Sequence, residues 1–168
     1  MQLKPIDACN LDLVAKWMST KDNYQWLDFA HGTQILTPIS LRIMSQRDIH
    51  VLRVFTSDSD DSPIGLVALS DIAHAFKTAR LWYVLGHKAY AGQGYTTRAV
   101  SKLLTLAFAH LGLLAVNAWA VDQNKPSLRV LEHNDFHFVG RQRQCHHIDG
   151  HPFDRLLFDL LASEHKER

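Results

Sequence analysis

Gly92 and Gly94 stand two apart between a strand-like run and the start of a long amphipathic pattern. Without Cβ atoms there, the backbone can approach a ligand closely, and the helix N-terminus that follows offers unpaired N–H groups with a partial positive charge. That pairing suits phosphate oxygens, although the same G-x-G spacing also serves as a plain tight connection. Further along, Asn124, Pro126 and Ser127 precede Leu128 and Leu131. Asparagine as N-cap with proline in the first turn starts a helix by ordinary chemistry, which leaves Ser127 as first-turn filler unless more than the local pattern gives its hydroxyl a task. His146 and His147 are candidate proton carriers by type, because a free imidazole titrates near neutrality. As neighbours on a strand they face opposite sides, so one at most points into a given cleft. Glu132 and Asp71 are further acceptors of a proton by type. Cys145, His146, His147, Asp149 and His151 all carry metal-ligating atoms. They alternate along a strand and straddle a turn, so no tetrahedral set follows and no metal is expected.

The elements that must hold these residues follow from periodicity. Apolar residues from Val100 through Leu103, Leu104, Ala107, Phe108 and Leu111 mark one face of a helix that the glycine turn opens and Gly112 stops. Ala79 to Gly86 is the strand feeding the turn. Leu114 to Val121, apolar except for Asn117, reads as the next strand, buried on both faces. A crossover helix between them makes a βαβ unit, so the two strands are predicted to be parallel. Elsewhere, residues 2–6 suggest a short first strand, and Leu11, Val14, Ala15 and Met18 a helix with Asp7 or Asn10 as N-cap. Thr37-Pro38 opens a second helix carrying Leu41 and Met44. Ile49 to Thr56 and Ile64 to Ile72 read as an antiparallel hairpin joined by SDSDDSP, with Asp60 and Asp61 at a solvated tip. Phe136 to Ile148 and Phe153 to Leu161 pair about Asp149-Gly150, a strong hairpin signal. From Asp22 to Thr37 the pattern is irregular; Tyr24, Trp26 and Phe29 within it are either packed or the wall of a pocket.

A chain of 168 residues, 46% apolar and 21% charged, is ordinary material for one domain with one core. Its formal charge of +1 gives no electrostatic reason to expect nucleic acid or an anionic membrane as partner. The apolar run Leu103 to Val121 is interrupted by Gly112 and carries His110 and Asn117, so a helix followed by a buried strand explains it better than a membrane span. Cys9 and Cys145 share no metal-type spacing and are expected to be buried, reduced thiols. The first residues, MQLKPIDACN, lack an apolar leader, which makes a cytoplasmic location the default expectation.

The order of elements, the run AGQGYTTRAV and above all NKPSLRVLE within VDQNKPSLRVLEHNDF resemble the GNAT superfamily of N-acetyltransferases. Within it, the likeness is to the branch that acetylates the N-termini of ribosomal proteins and related amines, and it covers nearly the whole chain. It implies one α/β domain over residues 1–168: a mixed, mostly antiparallel sheet of about seven strands, flanked by helices, with one splayed parallel pair. The implied reaction is acetyl transfer from acetyl-CoA to a primary amine by direct attack in a ternary complex, without a metal. The carrier's pyrophosphate would lie on the amides of Ala91, Gly92, Gln93, Gly94, Tyr95, Thr96 and Thr97. The family's loop runs Gln/Arg-x-x-Gly-x-Gly/Ala; with Ala91 and Thr96 at its ends only the central glycine matches, so backbone amides rather than a side-chain cation would carry this contact. The pantetheine arm would run along the edge Trp82 to Gly86, including Val84, Leu85 and Gly86, with the oxyanion donor an N–H near Val84 or Leu85. By the same resemblance Asn124 would bind the arm and Ser127 would donate to the departing thiolate. Leu131 stands where many members keep a tyrosine acid, and Asp135 where a glycine is usual. The base stays open among His146, His147, Glu132, Asp71 and a water chain. The acceptor stays open too, a small-molecule amine or a protein N-terminus, on a monomer or homodimer. A non-catalytic acyl-CoA-binding module is the alternative from another class. A nucleotide-binding domain fits less well, because a doubly wound sheet needs more than one parallel crossover.

Overall fold

The computed structural model describes residues 1–29 and 35–167; residues 30–34 of the irregular stretch from Asp22 to Thr37, and Arg168 at the end of the expected domain, lie outside the described residues. Seven strands form one sheet: Leu3–Pro5 (β1), Val51–Thr56 (β2), Pro63–Ala73 (β3), Thr78–Leu85 (β4), Ala115–Val121 (β5), His137–Ile148 (β6) and His151–Leu161 (β7). Their order is β1-β2-β3-β4-β5-β7-β6, antiparallel throughout except between β4 and β5. The helices are Leu11–Ser19 (α1), Lys21–Tyr24 (α2), Pro38–Ser45 (α3), Tyr95–Thr105 (α4) and Lys125–His133 (α5).

Side chains that alternate along β2, β3 and β4 divide between two cores, one on each face of the sheet. Phe55, Val67, Leu69 and Leu81 pack with Val116, Ala118 and Ala120 against Ala99, Val100, Leu103 and Leu104 of α4 and Leu131 of α5. Leu52, Val54, Leu66, Ala68, Trp82 and Val84 pack on the other side against Val14, Trp17 and Met18 of α1 and Leu41 of α3. Helix α3 starts where Thr37 and Ser40 exchange bonds, Ser40 N–H donating to Thr37 Oγ1 at 3.2 Å and Thr37 N–H to Ser40 Oγ at 2.7 Å, with Pro38 in the first turn. Of the two caps expected for α1, Asn10 occupies the position without a side-chain bond, while the Asp7 carboxylate accepts the Asn10 N–H at 3.0 Å.

Three expectations are corrected. The helix after the glycine turn continues beyond Thr105 as a π segment, Leu106–His110, in which Leu111 N–H reaches back five residues to the Leu106 carbonyl at 3.1 Å. The wider turn rotates Leu111 off the apolar face, leaving it 43% exposed. Strand β5 is covered fully on one face and only in part on the other: Val116, Ala118 and Ala120 are buried, whereas on the opposite face Asn117 is exposed, Trp119 half-buried and Val121 buried. Cys9 and Cys145 are both exposed, the first in the turn before α1 and the second beside an irregularity in β6.

The parallel pairing of β4 and β5 consists of three rows, Thr78 with Ala115, Ala79 with Val116 and Arg80 with Asn117. Beyond them β4 stays paired with β3 as far as Leu85, and β5 with β7 as far as Val121. Each strand therefore keeps one satisfied edge while the other edges part, and the sheet opens as a wedge. The wedge ends at Gly86, whose N–H donates to the Ile64 carbonyl at 2.9 Å. A Cβ on Gly86 would lie 2.0 Å from the buried indole of Trp17, so the residue closes the α1 face of the sheet rather than offering its backbone to the opening. Gly86→Ala should overpack this contact by about 1–3 kcal/mol and lower the thermal midpoint by roughly 2–12 °C. An unchanged midpoint in a calorimetric scan would contradict the packing role.

Candidate functional site

A cleft of about 600 Å³ occupies the wedge. Its walls are Leu81 to Leu85 of β4, Ala118 to Ala120 of β5, the first turns of α4 and α5, and the segment Trp26 to Phe29. At one end lies the glycine turn. Gly92 and Gly94 have φ of 76° and 77°, while a Cβ on either would meet nothing within 4 Å, so the left-handed backbone and not lack of space requires glycine. Arg98 N–H to the Gly94 carbonyl, 3.0 Å, is the first bond of α4. The N–H groups of Gly92 to Thr97 consequently have no partner among the described residues, and they gather at the N-terminus of a helix. Ala91 differs, since its N–H is taken by the Lys88 carbonyl at 3.0 Å. Gln93 turns its amide onto the Ala89 carbonyl at 3.0 Å and lies outside the cleft lining.

The hairpin tip between β2 and β3 holds this turn in place. The Asp58 carboxylate takes the Arg98 guanidinium at 2.8 Å and also the Met1 ammonium, and Asp58 N–H donates to the Tyr95 hydroxyl at 3.3 Å. Arg98 and the ammonium together hold the Asp58 carboxyl at about 2. Asp60 and Asp61 are likewise bonded, to Ser57 and Ser62 and to Lys4 and Thr56. Tyr90 meets the Tyr95 ring edge-on at 5.4 Å. With Arg98 committed to Asp58, the cradle presents backbone amides to an anion.

Strand parity sorts the wedge's backbone donors. Because Gly86 N–H bonds β3, Val84 N–H, two residues back and opposite Leu66, faces β3 as well. Leu85 and Tyr83 N–H face the gap. Asn124 caps α5, its Oδ1 accepting Ser127 N–H at 3.3 Å, which leaves its Nδ2 donors beside the cleft. The Ser127 hydroxyl meets a side chain that sequence reasoning passed over: Tyr83 Oη lies 2.8 Å from Ser127 Oγ and 3.0 Å from the Ser127 carbonyl oxygen. Burial pushes the Tyr83 phenol well above its ordinary pKa, against the opposing pull of the Ser127 bond. Nothing local in LWYVL distinguishes this tyrosine from a packing residue; only the placing of α5 over β4 does. Asp135 adopts the left-handed φ, 59°, that the missing glycine would supply.

On the opposite face of the sheet the wedge is walled by aromatics. Phe29 meets Trp82 edge-on at 5.0 Å, and the Arg155 guanidinium lies 4.1 Å over the Trp119 ring. Arg155 also donates to Asp28 Oδ2 at 2.8 Å and, through its other nitrogens, to His146 Nδ1 at 2.9 and 3.3 Å. The Gln25 carbonyl, 2.7 Å from His146 Nε2, can only accept, so the proton sits on Nε2 and neither ring nitrogen has a free lone pair. His146 is buried and lines a second, more polar cavity of about 410 Å³, with His147 exposed beside it. Neither lines the wedge, and nor do Asp71, paired with Arg80 at 2.8 Å, or Glu132. Among the described residues no three of His, Cys, Asp or Glu converge as a metal site, and no helix is long and apolar enough to cross a membrane.

Burial first, and Arg155 beside it, lower the His146 pKa from 6.5, in opposition to the Gln25 bond that raises it. The folded chain thus keeps this ring neutral where the unfolded chain already takes up a proton, so stability is full above pH ~6.5 and falls as pH drops through the window below it. His146→Gln supplies one donor and one acceptor without titrating. Chemical denaturation at pH 7.5 and 5.5 should show a smaller acid loss in this variant, whereas an unaltered loss would remove His146 from the account.

Residues 2–137 match the model of the acetyltransferase (GNAT) domain. The chain is 36% identical over 133 residues to "Probable N-acetyltransferase YjcK" of Bacillus subtilis (strain 168), covering 79% of this chain and 72% of that protein. Spermidine N-acetyltransferase from Vibrio cholerae, solved with CoA and spermine, superposes with a TM-score of 0.84 at 16% identity over 97% of this chain and 96% of that one. Ribosomal-protein-S5-alanine acetyltransferase from Vibrio fischeri gives 0.80 at 20% identity, over 98% and 94%. The superpositions show that the fold is shared, and the domain match over residues 2–137 together with the 36% identical relative makes this chain a member of the GNAT family, an acetyl-CoA-dependent N-acetyltransferase.

Proposed function

We propose that the enzyme acetylates a primary amine carrying a single positive charge, a protein N-terminus or a small monoamine, in preference to a polyamine. The charge balance of the cleft carries this reading. Its lining has two carboxylates, Asp22 and Asp28, against three cationic side chains, Arg80, Lys88 and Arg129, of which Arg80 is matched by Asp71 outside the lining. Asp28 is already matched by Arg155. A polycation needs several unmatched carboxylates along its length, and like charges facing it weaken binding. One ammonium group finds what it needs at Asp28 Oδ1, which has no partner among the described residues, and at the Trp26 ring, which lines the cleft.

In this reading the two substrates meet through the sheet. The amides of Gly92 to Thr97 hold the donor's pyrophosphate on the α4 side, and Asn124 Nδ2 and the gap-facing edge of β4 hold its arm. The acceptor enters from the aromatic side, gives its proton to water in the open cleft, and attacks as the neutral amine. Leu85 N–H, aimed into the gap, stabilises the carbonyl oxygen as it gains charge. Ser127 Oγ–H donates to sulfur as the carbon–sulfur bond breaks.

Ser127→Ala should lower kcat by about a hundredfold or more while changing the dissociation constant for acetyl-CoA by about twofold or less, because the contact strengthens only as the thiolate forms. Equal losses in both would make Ser127 a binding residue. With thiol release as readout, a peptide with N-terminal alanine or serine should exceed spermidine in kcat/KM by at least about tenfold, or ~1.4 kcal/mol. A preference for spermidine would overturn the acceptor assignment.

A further inference from the structure

The contact between Tyr83 and Ser127 is more specific than packing requires. Ser127 is held at three points: its N–H by Asn124 Oδ1 at 3.3 Å, its carbonyl oxygen by Tyr83 Oη at 3.0 Å, and its Oγ by the same Oη at 2.8 Å. The Tyr83 side chain rises from β4 on the α4 face of the sheet and Ser127 descends from the first turn of α5, so the two hydroxyls meet beside the wedge.

The phenol has one proton for two partners, and a carbonyl oxygen can only accept. Two arrangements follow. In one, Tyr83 O–H donates to the Ser127 carbonyl and Ser127 Oγ–H donates back to Oη, which aims the serine proton away from the cleft. In the other, Tyr83 O–H donates to Ser127 Oγ, and the serine proton is free to turn toward the cleft. The exchange needs rotation about two C–O bonds and no movement of heavy atoms. Negative charge growing on sulfur favours the second arrangement, because a hydroxyl that accepts a strong hydrogen bond becomes a better donor.

We propose that Tyr83 is the positioning residue of the reaction: it sets the direction of the Ser127 proton and supports Ser127 Oγ from behind while the thiolate departs. This rests on the reading of Ser127 as the donor to sulfur. As the amine nitrogen bonds to the acetyl carbon, the carbon–sulfur bond breaks and its electron pair goes to sulfur. Ser127 stabilises that pair through a hydrogen bond, water later protonates the thiolate, and the proton lost by the amine also goes to water. Tyr83 keeps its own proton in both arrangements, as its buried surroundings favour. No sulfur oxidation and no further reactant is involved.

Tyr83→Phe removes the hydroxyl and keeps the ring. It should lower kcat by about tenfold or more, with the dissociation constant for acetyl-CoA within about twofold and the thermal midpoint nearly unchanged. In a Ser127→Ala background the same change should leave kcat within about twofold, because Tyr83 then has no hydroxyl to direct. An equal factor in both backgrounds would show a purely structural brace and overturn the proposal, as would a kcat within about twofold of wild type for Tyr83→Phe alone. If Ser127→Ala itself retains full kcat, the assignment of Ser127 fails and this one with it. If Ser127→Ala loses activity and Tyr83→Phe does not, only the role of Tyr83 falls.

Discussion

Hydrogen-bond accounting in the middle of the sheet governs the rest of this structure. Strands β4 and β5 share three rows of pairing and then part, and they can part because β3 and β7 go on satisfying their outer edges. Among the described residues the inner edges are left with unpaired N–H and C=O groups in a slot that passes through the sheet, the condition under which a backbone edge binds something strand-like. Every other feature of the site is placed relative to that slot. Helix α4 springs from the end of β4 and puts its free amides at one end, and α5 leaves β5 to put Asn124 and Ser127 over one face. The segment Trp26 to Phe29 closes the other face with Trp82 and Trp119.

Strand alternation then gives the two faces of the sheet different side chains. Leu81, Tyr83 and Leu85 turn toward the α4 core and Trp82 and Val84 toward the α1 core, so one short run of β4 supplies the phenol that meets Ser127 and the indole that faces the aromatic wall. Arg155 ties that wall together, reaching Asp28, Trp119 and His146 from one guanidinium, while His146 fixes the Gln25 carbonyl. A half-buried charge with this many partners is fully satisfied, which gives the aromatic side of the cleft a defined shape.

Much of this was legible in the sequence, for identifiable reasons. The βαβ unit follows from an unbroken apolar period between two glycines, and the β6–β7 turn from Asp149-Gly150, whose φ values of 52° and 79° are those that a two-residue hairpin turn demands. Asn124 as cap and the donor cradle at Gly92 to Thr97 depend on local chemistry, which spacing records. What escaped was non-local. Whether Tyr83 meets Ser127, forty-four residues away, depends on how α5 lies over β4. His146 is a base by type, yet Arg155 and Gln25 occupy both its nitrogens, and neither contact leaves a mark in the run CHHIDGH. Leu111 kept the helical period that the sequence displays and lost it in space to a π turn.

The slot itself is open to a direct measurement, amide hydrogen exchange with and without CoA. Binding should slow exchange at Gly92 to Thr97 and at Tyr83 and Leu85, the N–H groups without partners at the cradle and along the gap, and should leave Val84 and Gly86, already bonded to β3, as they were. Protection confined to other parts of the chain, or equal along both edges of β4, would contradict a donor seated in the opening between β4 and β5.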